Sequence, residues 1–178
     1  MRFLKVFVVA SLFALGLAGL TFAQSFANQT VTMQISAIGA IGVSGNPAAL
    51  TVSAPGIPGN LPDNPTDNTT YARYTSTVAT GVTRRITANW GVAEAAPAGC
   101  SLLLTATPSG QPTEGSTAGQ ITMSGVATDI VTGIGSCATG TGATSGAQLT
   151  YVLSVTSMAA LVAGDDHTVT ITLTLTDN

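Results

Sequence analysis

Apolar and polar positions alternate with a period of two along most of this chain, the pattern of strands with one wet and one buried face. The last stretch is the clearest. Val169, Ile171, Leu173 and Leu175 alternate with Thr168, Thr170, Thr172, Thr174 and Thr176. Threonine suits the outer face of a strand because its branched Cβ fits the pleated backbone. The same theme predicts strands at Val31, Met33 and Ile35, at Leu50 and Val52, and across residues 71–79. It recurs at Ile86, Ala88, Trp90 and Val92, and at Cys100, Leu102, Leu104 and Ala106. Ile121 with Met123, residues 130–134, and Leu149, Tyr151, Leu153 and Val155 complete the set. Eight or nine short strands separated by turns predict an all-β fold, a two-sheet sandwich of immunoglobulin-like or jelly-roll type.

No segment carries a convincing helical period; residues 157–163 offer at most one turn. Pro55-Gly56, Pro58-Gly59, Ser109-Gly110 and Gly164-Asp165 read as turns. Residues 54–70, with four prolines, are expected to form the longest loop, and residues 133–146 a second one anchored at Cys137. The part preceding the first loop is too small to fold alone, so it must contribute to the same core.

The first residues read differently. Arg2 and Lys5 precede an uncharged apolar run from Val6 to Leu20, and Thr21-Phe22-Ala23 supplies the small residues of a cleavage site. Residues 1–23 are therefore expected to be a secretory signal peptide, with residues 24–178 as one sandwich domain. The apolar run is shorter than the ~20 residues a spanning helix needs, and no membrane span is expected in the mature chain. Loss of Arg2 and Lys5 leaves Arg73, Arg84 and Arg85 against eight acidic residues, a formal charge of −5, and no lysine. That surface lacks the basic patch nucleic acid requires. The expected location is extracellular or at the cell surface, with the periplasm as the other exported compartment.

Export also bears on Cys100 and Cys137, the only cysteines. An even pair in an exported chain predicts a disulfide, worth ~4 kcal/mol for a loop of this length.

Candidate chemistry is sparse. His167 follows Asp165 and Asp166, but no serine stands in a Gly-x-Ser-x-Gly elbow, and the run reads as a polar turn. Glu94 and Glu114 are expected to be solvated loop residues rather than a carboxylate pair. Residues 63–68 (Asp-Asn-Pro-Thr-Asp-Asn) offer hard oxygens of the kind calcium takes, without the glycine and closing glutamate of an EF-hand loop. Asp and Asn are also ordinary turn formers. Asn28 and Asn68 each open an N-x-Thr triplet, which a Thr-rich chain also produces by chance. Trp90 is expected in the core, and Tyr71 and Tyr74 are the better candidates for an exposed aromatic contact. Arg85 is expected on a wet face, as edge strands carry charge. No catalytic residue, cofactor or metal ligand is assigned.

These traits together suit a structural or adhesive surface component, a subunit of a coat, matrix or filament, more than an enzyme. A module that binds extracellular carbohydrate is the alternative. Expected partners are further copies of the chain, other surface proteins or a polysaccharide. The strand pattern of residues 29–35 precedes a glycine-bearing stretch, Ile38-Gly39-Ala40-Ile41-Gly42-Val43-Ser44-Gly45, that reads as a hinge. Such a strand either pairs within its own subunit, the favoured expectation, or is donated to a neighbour. The signal peptide, Thr-rich alternating strands, single cysteine pair and strongly alternating last strand resemble small exported bacterial surface and pilus-type β-sandwich subunits. That resemblance implies a sandwich and a structural role, and carries over no functional residue.

Overall fold

The computed structural model describes residues 27–178, so the expected signal peptide at residues 1–23 lies outside the described residues. Ile35–Asn178 forms one compact unit and holds every strand among the described residues. Its strands are β1 (Ile38–Val43), β2 (Thr66–Thr77), β3 (Arg84–Trp90), β4 (Cys100–Thr107) and β5 (Ser116–Thr117). There follow β6 (Ile121–Thr122), β7 (Thr128–Ile134), β8 (Cys137–Ala138), β9 (Ala147–Val155) and β10 (Ile171–Asp177). The described unit is thus all-β, apart from one short 3₁₀ turn at Met158–Ala160.

Two sheets form. The first runs β1-β2-β9-β4-β6, with β8 also paired to β2; the second runs β10-β3-β7-β5. Every pairing between these strands is antiparallel, and alternate side chains along each strand collect on two inner faces. Ala72 and Tyr74 of β2, Leu149 and Tyr151 of β9, and Leu104 and Ala106 of β4 line one face. Ile86, Ala88 and Trp90 of β3 with Ile130 and Ile134 of β7 line the other. This apolar layer is the main source of stability.

Register shifts explain the places where alternation fails. Between β3 and β7 the pairing slips twice, and Ile130 and Val131 become buried side by side. In β2 it slips between Asp67 and Thr70, where the Asp67 carboxylate accepts from the Thr69 amide at 3.1 Å. At Gly146, φ is +100°, and a Cβ there would collide with the Ala72 backbone, so only glycine lets the chain enter β9 so close to β2.

Several expectations need correction. Of residues 38–45, read as a hinge, the first six are β1: they pair in unbroken register with β2, placing Ile41 opposite Tyr74. Gly39 serves that role because the Arg84 guanidinium occupies the space its side chain would need. Residues 29–35, expected as a strand, carry no regular element, and Val31, Met33 and Ile35 are 68%, 88% and 85% exposed. Leu50 and Val52 lie in a loop whose pairing is a single bridge, Ser53 to Asp63. The long loop ends earlier than expected, because β2 begins at Thr66. Val92 falls beyond β3 and is 94% exposed.

The disulfide is also corrected. Cys100 and Cys137 are free thiols. Cys100 pairs with Val155 at one end of the first sheet, beyond the level where Thr66 meets Val152. Cys137 pairs with Ser76, ten positions along β2 from Thr66. At a rise of ~3.3 Å per residue the two lie roughly 40 Å apart along the sheet, far beyond the ~7 Å Cα limit of a disulfide. The long second loop is anchored at Cys137 as expected, but by backbone pairing of β8 with β2.

Candidate functional site

Glu94, Glu114, Asp165 and His167 each have a local structural task. Glu94 holds two segments together: its carboxylate accepts from the Gly91 amide at 2.9 Å and from the Thr170 amide at 3.1 Å. His167 lies 2.9 Å from Asp165 through Nε2 and 3.0 Å from the Ala95 carbonyl through Nδ1. Asp165 in turn accepts from the Ala98 amide at 3.2 Å. These bonds tie the loop after β3 to the approach of β10. The imidazole's recorded partners are thus a carboxylate and a carbonyl, not a serine.

Glu114 departs from expectation. It is 7% exposed, not a solvated loop residue. Its carboxylate accepts a bond from the Ser109 hydroxyl, and its carbonyl accepts one from the buried Tyr74 hydroxyl at 2.5 Å. Tyr74 is therefore a core residue and no exposed aromatic. Burial first, then the charges of Glu114 and Cys137, holds its hydroxyl well above the usual tyrosine range. Cys137 is likewise pushed up by burial and by Glu114, against a lowering bond from Ser76. Cys100 is pushed up by burial and by Asp165. Both thiols are thus biased toward the protonated, weakly nucleophilic form.

Glu94 bonds to Thr170 and Glu114 to Ser109, so each carboxylate serves its own loop. In the Asp63 to Asn68 stretch, Asp67 is buried and bonded to Thr69, and Asn64 accepts from the Val155 amide at 2.9 Å. These oxygens serve separate backbone sites, and no cluster of three metal-ligating acidic, histidine or cysteine side chains occurs among the described residues. Trp90 is in the core at 8% exposure, as expected. Tyr71 is half-buried, with its hydroxyl 3.3 Å from the Gln148 amide. Arg85 faces outward beside Asp129 at 3.6 Å, but on β3, an interior strand and not an edge.

The feature that stands out is the unequal closure of the two sides of the sandwich. On one side the chain passes directly from β5 in the second sheet to β6 in the first, sealing the seam. On the other, β1 and β10 are both sheet edges and lie against each other without pairing. Arg84 links these two edges near one end: Nε meets Asp177 of β10 at 2.6 Å, and the guanidinium donates to the Ile38 carbonyl of β1. Along the rest, Ile41, Ile171, Leu173 and Leu175 are only half-buried, and Val43 is 53% exposed. Their neighbours on β3, Ile86, Ala88 and Trp90, are no more than 8% exposed. Sequence pattern marked the apolar face of β10 but could not show that it would end a sheet, since strand order is not encoded in alternation.

Among the described residues no helix is long and apolar enough to cross a membrane. Set against protein-family models, curated proteins and solved structures, the chain matches none.

Proposed function

We propose that the protein is exported and works as a non-enzymatic structural or adhesive component of the cell surface, a subunit that associates with copies of itself. One observation carries this reading: three apolar side chains at strand spacing, Val31, Met33 and Ile35, stand 68–88% exposed just before β1. A row of that kind costs solubility unless it meets a partner. The polar outer faces agree with a persistent building block: Thr172 and Thr174 on β10 and Thr105 on β4 point away from the core. A carbohydrate-binding module would call for an exposed aromatic platform; Trp90 and Tyr74 are buried.

The test is sedimentation of the chain lacking residues 1–23, over a range of concentrations, beside a variant that also lacks residues 28–36. The reading predicts concentration-dependent assembly that the deletion abolishes while the circular dichroism of the sandwich is retained. A folded deletion variant that assembles as well as its parent contradicts it, as does a monomer retained on a polysaccharide column.

A further inference from the structure

We infer that a cleft built around Arg73, on the outer face of the first sheet, binds the carboxylate of a small hydroxylated acid such as a uronic acid sugar. This goes beyond the self-association reading and does not depend on it, since every residue that lines the cleft belongs to the unit Ile35–Asn178.

Arg73 is the arginine that the fold leaves without an anion. Arg84 meets Asp177 at 2.6 Å, and Arg85 lies 3.6 Å from Asp129. All eight acidic residues of the chain lie among the described residues, and none of them pairs with Arg73. Its Nε is shut off from solvent without a hydrogen bond. A half-buried guanidinium held in this way has donors to spare, and they favour an anion.

The place is hollow because of its neighbours. In the register of β1 with β2, Arg73 stands opposite Gly42 and Thr75 opposite Ala40. Tyr74 is turned into the core, so Arg73 and Thr75 face outward. Gly42 brings no side chain, and a Cβ built on it would meet nothing within 4 Å. On the other flank β2 changes partner, from β9 at Ala72 to β8 at Thr75. The chain leaving β8 is pinned there by Thr139, whose hydroxyl accepts from the Tyr74 amide at 3.0 Å and whose amide donates to the Tyr74 carbonyl at 3.1 Å. Gly140 and Thr141 follow and form the second wall of an open cleft of about 190 Å³.

The chemistry of the walls selects the ligand. One guanidinium balances one negative charge, and its planar fork matches the two oxygens of a carboxylate. A phosphate dianion would stay half-neutralised on a chain that is already net acidic. The hydroxyl-bearing Thr75 and Thr141 line the same cleft and suit a ligand with hydroxyls of its own. Water takes ~30 Å³ per molecule and drug-sized ligands need ~300 Å³ or more, so this cleft takes one small acid.

Nuclear magnetic resonance titration of the chain lacking residues 1–23 with glucuronate, acetate, glucose and inorganic phosphate, at fixed ionic strength, tests this. Glucuronate should shift the amides of Gly42, Gly140 and Thr141 saturably, with a Kd of about a millimolar. Acetate should shift the same amides more weakly, and glucose should leave them in place. Arg73→Gln should raise the Kd at least about tenfold, and Arg73→Lys, which keeps the charge and loses the fork, at least about threefold. Gly42→Val keeps Arg73 and fills the space beside it, and should also weaken binding at least about tenfold. All three positions face outward, and retained circular dichroism shows that each loss is read on a folded chain. A response to glucose or phosphate as strong as that to glucuronate overturns the carboxylate assignment. Binding that survives Arg73→Gln, or no shift at about 30 mM glucuronate, overturns the site. Shifts that follow protein concentration instead of glucuronate, and vanish with Arg73→Gln, would mean that an acidic side chain of a second copy fills the cleft. That result overturns the small-acid ligand and leaves self-association standing.

Discussion

Replacing Tyr151 by phenylalanine should leave stability almost unchanged at pH 7 and raise it, relative to the parent, at pH 11. Tyr151 lies on β9, opposite Leu104 on one side and Asp67 on the other, and is 5% exposed. Burial, with a smaller contribution from the Asp67 charge, pushes its hydroxyl up to about 12 from an ordinary value of 10.0. The neutral form is the one the fold accepts. A folded value above the unfolded one means that stability is fully present below pH ~10 and is lost as pH rises toward ~12. At pH 11 the unfolded chain is about 90% ionised at this group and the folded chain about 10%, a loss of about 1.4 kcal/mol that phenylalanine does not suffer. Urea unfolding followed by the fluorescence of Trp90, the one tryptophan, at pH 7 and pH 11 gives four free energies. Their double difference cancels the ionisation of the thiols, which both proteins share, and of Tyr74. A double difference near zero would refute the burial argument for this side chain.

Other substitutions probe separate parts of the structure. Gly146→Ala combines a disfavoured φ with a collision against the Ala72 backbone, and should cost at least ~1–2 kcal/mol in urea unfolding. Glu94→Ala removes the acceptor shared by Gly91 and Thr170; it should lower stability by ~1–3 kcal/mol and speed exchange at the Thr170 amide. Thiol titration without reductant should count two reactive groups in denaturant and slow reaction of both in the native protein at neutral pH, since burial holds each thiol protonated. A disulfide-linked monomer on non-reducing electrophoresis would contradict the placement of Cys100 and Cys137 at opposite ends of the first sheet.

Alternation made the interior legible. Leu102, Leu104 and Ala106, or Leu149, Tyr151 and Leu153, need only a period of two and one wet face to be assigned inward, and all six are buried. Reading failed where burial depends on which strands become neighbours. Ile38 to Gly45 looked like a hinge because of its glycines, yet pairing of residues 38–43 with β2 and the passage of Arg84 over Gly39 make Gly39 and Gly42 part of a strand. Val31 to Ile35 has the better strand pattern and no strand, since a period of two reports a surface able to pair and not a partner. Glu114 looked solvated because proline and glycine surround it, but Tyr74 and Ser109 reach it from elsewhere in the chain. The cysteines misled in the same way: export favours a disulfide, but only register shows that β8 and the start of β4 lie at opposite ends. The half-covered edge at β10 depends on strand order, which nothing in the local pattern specifies.

On the function proposed above, this sandwich joins to others of its kind through the exposed apolar row Val31, Met33 and Ile35. Electron microscopy of the purified chain lacking residues 1–23, over a range of concentrations, is the test. Filaments, rings or sheets with a repeat close to the dimensions of one sandwich are the predicted result. A field of separate particles the size of a single chain, unchanged on concentration, would contradict it.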